Sequence, residues 1–321
     1  MRSQRAYTVP PIHHPREVPP ASRFRHVLAK GLLATLLGAA GSAYAVDPLP
    51  LPPLVDPASQ EHHPGKVTFV ELVTPDIPGA ERFYGQLFGW TFRDIQAGSV
   101  TYAQASLDGR PVAGLIHRNV PAGQQRQPAW LTFIASRDVD ATRTLAVQQG
   151  AKVLAEPHAV PDRGREAVFA DPQGAVFAVV ASTGGDPPDE LAEPGEWIWS
   201  SLITSDPEHG AAFYQALFGY DVFELGDTDA QHLMLATEDY ARASANGLPP
   251  GKPNARPHWL NYVRVDNAVE MTAKAVALGG RVLVEPRDDR HGGKVAVVAD
   301  PTGAPFGLLE WTATQTKEVP Q

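Results

Sequence analysis

One helix-forming stretch occurs twice in this chain. Residues 75–90 read PDIPGAERFYGQLFGW, and residues 205–220, 130 positions on, read SDPEHGAAFYQALFGY. Asp76 and Asp206 stand where an N-cap carboxylate accepts orphan backbone N–H groups, and Pro207 suits a first helical position. Ala80, Phe83, Tyr84, Leu87 and Phe88 keep the i, i+3, i+4, i+7, i+8 spacing of a buried stripe, repeated by Phe213, Tyr214, Leu217 and Phe218. Gly89 and Gly219 close the helices, because glycine takes the left-handed C′ conformation without steric cost. A helix this apolar on one face needs a sheet to cover it.

The flanking sequence supplies strands. Val67–Val73 precedes the first helix, and Thr91–Ile95, Val100–Leu107 and Val112–His117 follow it. A second round runs from Trp130–Ser136 through a helix over Asp138–Gln149 to Lys152–Leu154, Glu166–Ala170 and Ala175–Ala181. Each round is βαβββ. The whole arrangement then recurs: PAWLTFIASRDV (128–139) matches PHWLNYVRVDNA (257–268), and FADPQGAVFAVV (169–180) matches VADPTGAPFGLL (298–309). Similarity kept in register at an offset of 129 to 130 residues predicts tandem domains. The fold class expected is α+β: domains over 66–182 and 196–313, a linker over 183–195 (TGGDPPDELAEPG), and a tail over 314–321.

The first 45 residues stand apart. Arg23, Arg25 and Lys30 precede the apolar run Gly31–Ala40, and Ala43-Tyr44-Ala45 offers small residues for cleavage. This succession predicts a cleaved secretory signal and a periplasmic or secreted mature chain. Val46–Gly65, rich in proline, reads as an extended tether carrying a solvated His62-His63 pair. Loss of residues 1–45 removes six of the 27 basic and one of the 36 acidic residues, leaving a formal charge of −14. That balance argues against a nucleic-acid or anionic-membrane partner, both of which select basic surfaces. With no cysteine, thiolate nucleophiles and sulfur metal sites are excluded. Four units in one chain are enough for a monomer, and a homodimer is equally compatible.

A strand, then T-x-D, then F-Y-x-x-L-F-G-aromatic, then D-P-x-G-x-x-F resembles the vicinal oxygen chelate superfamily of glyoxalases, extradiol dioxygenases, fosfomycin-modifying enzymes and bleomycin-resistance proteins. The resemblance covers nearly all of 66–312. It implies that βαβββ units pair into curved-sheet cups, often around a divalent metal held by His or Gln on each unit's first strand and Glu on its last. Counted along the motifs, those places fall on Phe69, Leu131, Trp199 and Leu260, with Ala178 and Gly307 at the closing Glu. None of the six can ligate a metal. Strands in the first and third units lack a D-P-x-G anchor for this count, and His117 lies in one of them.

Strand alternation assigns the faces. Val70, Leu72 and Thr74 should cover the helix, leaving Phe69, Glu71 and Val73 in the first cup with Leu131 and Phe133. Trp199, Ser201, His258, Leu260, Tyr262 and Arg264 should line the second, where His258, Tyr262 and Arg264 together resemble a polar pocket for an anionic or aromatic ligand. Glu71, an acid in an apolar strand, is the one catalytic candidate; its other reading is pairing with an arginine or backbone amides. His258 also reads as a strand-start cap, and Arg264 can reach solvent. The loops Asp162–Arg165 and Asp288–Lys294 read as lids or solvated turns, and Trp130 and Trp259 as core. Two function classes follow: a metal-free binder of a small organic molecule in an apolar cup, or a lyase, isomerase or dioxygenase with relocated metal ligands or acid–base chemistry at Glu71. No cofactor is expected under the first; a divalent metal belongs to the second.

Overall fold

The computed structural model describes residues 51–97, 100–118, 128–224, 232–251, 255–289 and 292–311. The predicted signal and tail lie outside them. The four βαβββ units form as the sequence predicts. The first is β1 (Val67–Thr74), α1 (Ile77–Phe88), β2 (Thr91–Ala97), β3 (Val100–Leu107) and β4 (Arg110–His117). The second is β5 (Ala129–Ala135), α2 (Val139–Gln148), β6 (Lys152–Val160), β7 (Gly164–Ala170) and β8 (Val176–Ser182). β9 (Trp197–Thr204), α3 (Pro207–Phe218), β10 (Asp221–Glu224), β11 (His232–Thr237) and β12 (Tyr240–Gly247) make the third. β13 (His258–Val265), α4 (Ala268–Ala277), β14 (Arg281–Asp288), β15 (Lys294–Ala299) and β16 (Pro305–Glu310) make the fourth. β6 runs well past the predicted Leu154, carried through Pro157 by two register shifts.

The caps explain the helix limits. Asp76 accepts from the Gly79 N–H at 2.9 Å and Asp206 from His209 at 3.0 Å, while Gly89 (φ 81°) and Gly219 (φ 74°) turn left-handed at the other ends. Units pair into two curved eight-stranded sheets, ordered β2-β3-β4-β1-β5-β8-β7-β6 and β10-β11-β12-β9-β13-β16-β15-β14. β1 lies parallel to β4 and antiparallel to β5, so the first strands of two units sit at the centre of each sheet.

The helix-bearing faces of the two sheets pack on each other. One core joins Phe83, Tyr84 and Leu87 of α1 to Ala275 of α4 and Phe306 of β16; the other joins Phe177 of β8 to Phe213 and Tyr214 of α3. Across this layer Tyr84 donates to Asp300 at 3.1 Å and accepts from Trp130 at 3.2 Å. Tyr214 repeats the pattern with Asp171 and Trp259. Asp171 and Asp300 begin the D-P-x-G turns, and one oxygen of each accepts three successive turn N–H groups. The F-Y and D-P-x-G motifs of opposite halves therefore meet in two buried hydrogen-bonded relays, leaving the concave faces outward as two cups.

Candidate functional site: two unlike cups

Strand register settles the positions that sequence counting leaves open. In the first cup Glu71 is level with Gly114, and Phe133 with Ala178. In the second, Ser201 is level with Ser244, and Tyr262 with Gly307. His117, level with Thr74, shares the strand parity of the core residue Leu115, on the helix side. The predicted faces of β1 hold: Val70 and Leu72 join the helix core, and Phe69 turns into the cup. A bulge in β9 puts both Trp197 and Trp199 to use, the former against Trp90 and Trp130, the latter in the second cup. Simple alternation would place them on one face.

The first cup is filled by the chain itself. Residues 51–55 of the expected tether are not a free spacer. Leu54, 2% exposed, packs among Phe69, Phe133, Ala178 and Val180, and Leu51 packs on Tyr102 and Val160. Arg163, 1% exposed, crosses beneath them. Its Nη1 donates to Glu71 at 2.7 Å, its Nε to the Pro52 carbonyl at 2.9 Å, and its Nη2 to the Tyr102 hydroxyl. Asp162 (φ 63°) and Gly164 (φ 121°) flank it, and this pair of positive φ angles throws the side chain inward from what the sequence suggests is a solvated turn. The Tyr102 ring also covers Gly114, where an added Cβ would meet its hydroxyl at 2.0 Å.

Glu71 thus stands in its pairing role, shielded by Arg163 and Leu51–Val55 from any approaching substrate. A second acid, Glu166, lies 3.8 Å from the same guanidinium, and its Oε1 has no hydrogen-bond partner. Burial pushes the Glu166 carboxyl up to about 7; Arg163 pulls it down and Glu71 adds to the rise. Glu71, at the shorter distance, takes the guanidinium, and Glu166 holds its proton below about pH 7.

The second cup is built differently. Ser201 stands where Glu71 does, and its hydroxyl lies 2.8 Å from that of Ser244. Trp199 donates to Ser244 at 3.1 Å, as does the Asn246 amide. The Trp311 ring lies 6.5 Å from that of Trp199 at an interplanar angle of 27°. Tyr262 lies over Gly307, and burial pushes its phenol above the ordinary range while Ser201 beside it pulls the other way. Asn246 Oδ1 and Trp311 Nε1 are buried and unpartnered. Among the described residues, no buried apolar cluster forms on this face.

Two expected ligand anchors are engaged elsewhere. Arg264 donates to the Ala192 carbonyl of the linker at 2.6 Å, because its long stem reaches past the cup edge. His258 bonds the Arg256 carbonyl through Nδ1 at 2.8 Å, and burial lowers its pKa, so it serves as a neutral strand-start cap. Leu260 is buried at the cup floor, level with Ser201, and Val73 is half-buried beside Ile116 and Ala129. Ser244, Asn246, Trp311 and Arg163 escaped sequence reasoning. The doublet of positive-φ formers around Arg163 was the one signal for it.

The residues present do not fit the metal that the resemblance implies. Phe69 and Leu131 pack around Leu54, Ala178 is fully buried, Trp199 is bonded to Ser244, and Leu260 is apolar. At Gly307 a Cβ would lie 1.9 Å from the Tyr262 ring, so a ligating side chain could enter only by displacing it. Elsewhere, His63, Asp189 and Glu238 bring ligand atoms within 4.8 Å of one another. His63 is therefore not the solvated residue expected of a tether. Yet Asp189 Oδ1 already accepts from Lys66 at 2.7 Å and Arg242 at 2.5 Å, and two cations there repel a third. His63 bonds Glu61 and Glu238, at 2.9 and 3.0 Å, so the cluster closes as a network of ion pairs tying residues 61–66 to the second half.

Comparison with known proteins agrees with this architecture. A family model described as the Glyoxalase/Bleomycin resistance protein/Dioxygenase superfamily matches residues 66–179, and one described as a glyoxalase-like domain matches 200–309. CFP32 of Mycobacterium tuberculosis, whose name calls it a glyoxylase, is 33% identical over 258 residues, covering 79% of this chain and 98% of its own. DauV of Streptomyces sp. strain C5, named an anthracycline biosynthesis protein, is 32% identical over 260 residues, covering 77% and 94%. Among solved structures, the Mn(II)-bound glyoxalase from Novosphingobium aromaticivorans aligns with a TM-score of 0.54 at 19% identity, over 76% of this chain and 82% of that one. An extradiol ring-cleaving dioxygenase from B. fuscum aligns at 0.55 with 15% identity, over 79% and 75%. These two share the fold.

Proposed function

The chain belongs to the Glyoxalase/Bleomycin resistance protein/Dioxygenase superfamily, and from that premise we propose that it is an exported binder of a flat aromatic molecule, held without a metal ion in the second cup. The carrying observation is the pair of unpartnered buried atoms, the Asn246 Oδ1 acceptor and the Trp311 Nε1 donor, on a face walled by Trp199, Trp311 and Tyr262. Buried polar atoms without partners are rare in native proteins and invite an explanation. A planar ligand with a donor and an acceptor on its edge would satisfy both while stacking on the indoles. Relatives named for anthracycline biosynthesis, at 32% identity, support a polycyclic aromatic ligand class.

Titration with an anthracycline, followed by tryptophan fluorescence, tests the reading. Saturable binding at one site per chain is expected, weakened roughly tenfold or more in Trp311→Ala, since truncating a central aromatic anchor costs about 2 kcal/mol or more. Equal binding by Trp311→Ala and the native chain would contradict it. Export rests on the basic–apolar–AYA succession of residues 23–45. Intact mass of the exported protein should begin near Val46; retention of residues 1–45 would refute it.

A further inference from the structure

The geometry points to the first cup as a recognition site for a proline-rich Leu-x-x-Leu peptide, occupied in this chain by its own Leu51–Val55. The inference does not rest on the aromatic ligand of the second cup. Pro52 and Pro53 keep the segment extended and remove two backbone donors, so it offers carbonyl acceptors. The cup answers with donors: Arg163 Nε to the Pro52 carbonyl at 2.9 Å, and Gln104 Nε2 to the Pro53 carbonyl at 3.4 Å. Both donors sit on well-buried side chains, Arg163 at 1% and Gln104 at 7% exposure. Polyproline II repeats every three residues, so Leu51 and Leu54 fall on one side of the segment. Each enters its own apolar hollow, Leu51 against Tyr102 and Val160, Leu54 against Phe69 and Phe133. Two leucine hollows one polyproline turn apart, with carbonyl-seeking donors between them, make a site that reads sequence as well as shape.

The second cup carries none of this apparatus. The position equivalent to Glu71 is Ser201, and Met234 and Gly292 stand where the repeat offsets of 130 and 129 place the counterparts of Gln104 and Arg163. The peptide-reading donors therefore belong to the first cup alone among the described residues. A segment tethered beside its own site competes at an effective concentration on the order of millimolar, so a peptide in trans is excluded until the internal segment leaves.

The test uses a labelled peptide with the sequence of residues 50–57, PLPPLVDP, and fluorescence anisotropy. The full-length Leu51→Ser/Leu54→Ser variant should bind it at least roughly tenfold more tightly than the native chain does, because the competing segment is disarmed. A peptide with both leucines changed to serine should not bind, and the binding peptide should raise the variant's melting temperature. Leu54→Ser alone serves the same comparison if the double variant does not fold. A folded variant that ignores the peptide, or that binds the serine peptide equally, overturns the proposal. So does a melting temperature unchanged by the Leu→Ser substitutions, which would mean the segment contributes nothing in the cup.

Discussion

Arg163→Met is expected to lower the folding free energy by about 3–5 kcal/mol, the cost of leaving a buried carboxylate without its cation. Glu71 is 7% exposed, and Arg163 Nη1 at 2.7 Å is its salt-bridge partner. The same substitution strips donors from Tyr102 and from the Pro52 carbonyl. Denaturant unfolding of Arg163→Met beside Arg163→Met/Glu71→Leu separates the contributions. The double variant should regain most of the loss, because apolar replacement of a whole buried pair is often neutral or better. A single-variant loss below about 1 kcal/mol would show the pair to be as weak as a surface one. The converse variant, Glu71→Gln, should likewise lose stability while leaving ligand binding in the second cup intact. Loss of binding at unchanged stability would return Glu71 to the functional role that its place in an apolar strand suggests.

Glu166 gives the second large effect, through pH. Its carboxyl titrates near 4.5 in the unfolded chain and at about 7 when folded, so between those values the native state holds the extra proton. Stability from this group is full below about pH 4.5 and falls by about 3 kcal/mol as pH rises through 7. The sign is opposite to that of a salt-bridged acid. Chemical denaturation at pH 5 and pH 8 measures it, and Glu166→Gln should flatten the difference. A native chain whose pH dependence matches that of Glu166→Gln would contradict the protonated state.

Much of this architecture is legible in the sequence because it is written twice. Caps at Asp76 and Asp206, stops at Gly89 and Gly219 and the D-P-x-G turns are local chemistry, and their recurrence fixes four units in order. The crossing of the halves is not local. Nothing in the spacing of Tyr84 or Asp300 says that they meet across 216 residues, although both motifs are visible. The first cup was hidden for a different reason. Alternating leucine and proline in VDPLPLPPLV satisfies the rule for a stiff spacer, and the leucines that a spacer does not need are the overlooked sign. Arg163 lay in a turn of charge and glycine, where an inward side chain depends on backbone angles rather than residue type. In the second cup, a β9 bulge sends Trp197 inward while Trp199 keeps the cup, and Trp311 follows the last strand, beyond the reach of alternation counting.

The binding proposed for the second cup needs no metal. Anthracycline titration of the chelator-treated, full-length protein, repeated after adding zinc, manganese or ferrous iron, is the direct measurement. The second cup's aromatic walls and unpartnered Asn246 and Trp311 predict one site of the same affinity in every arm. Binding that appears only when a divalent metal is restored, or conversion of the ligand in those arms alone, would contradict it.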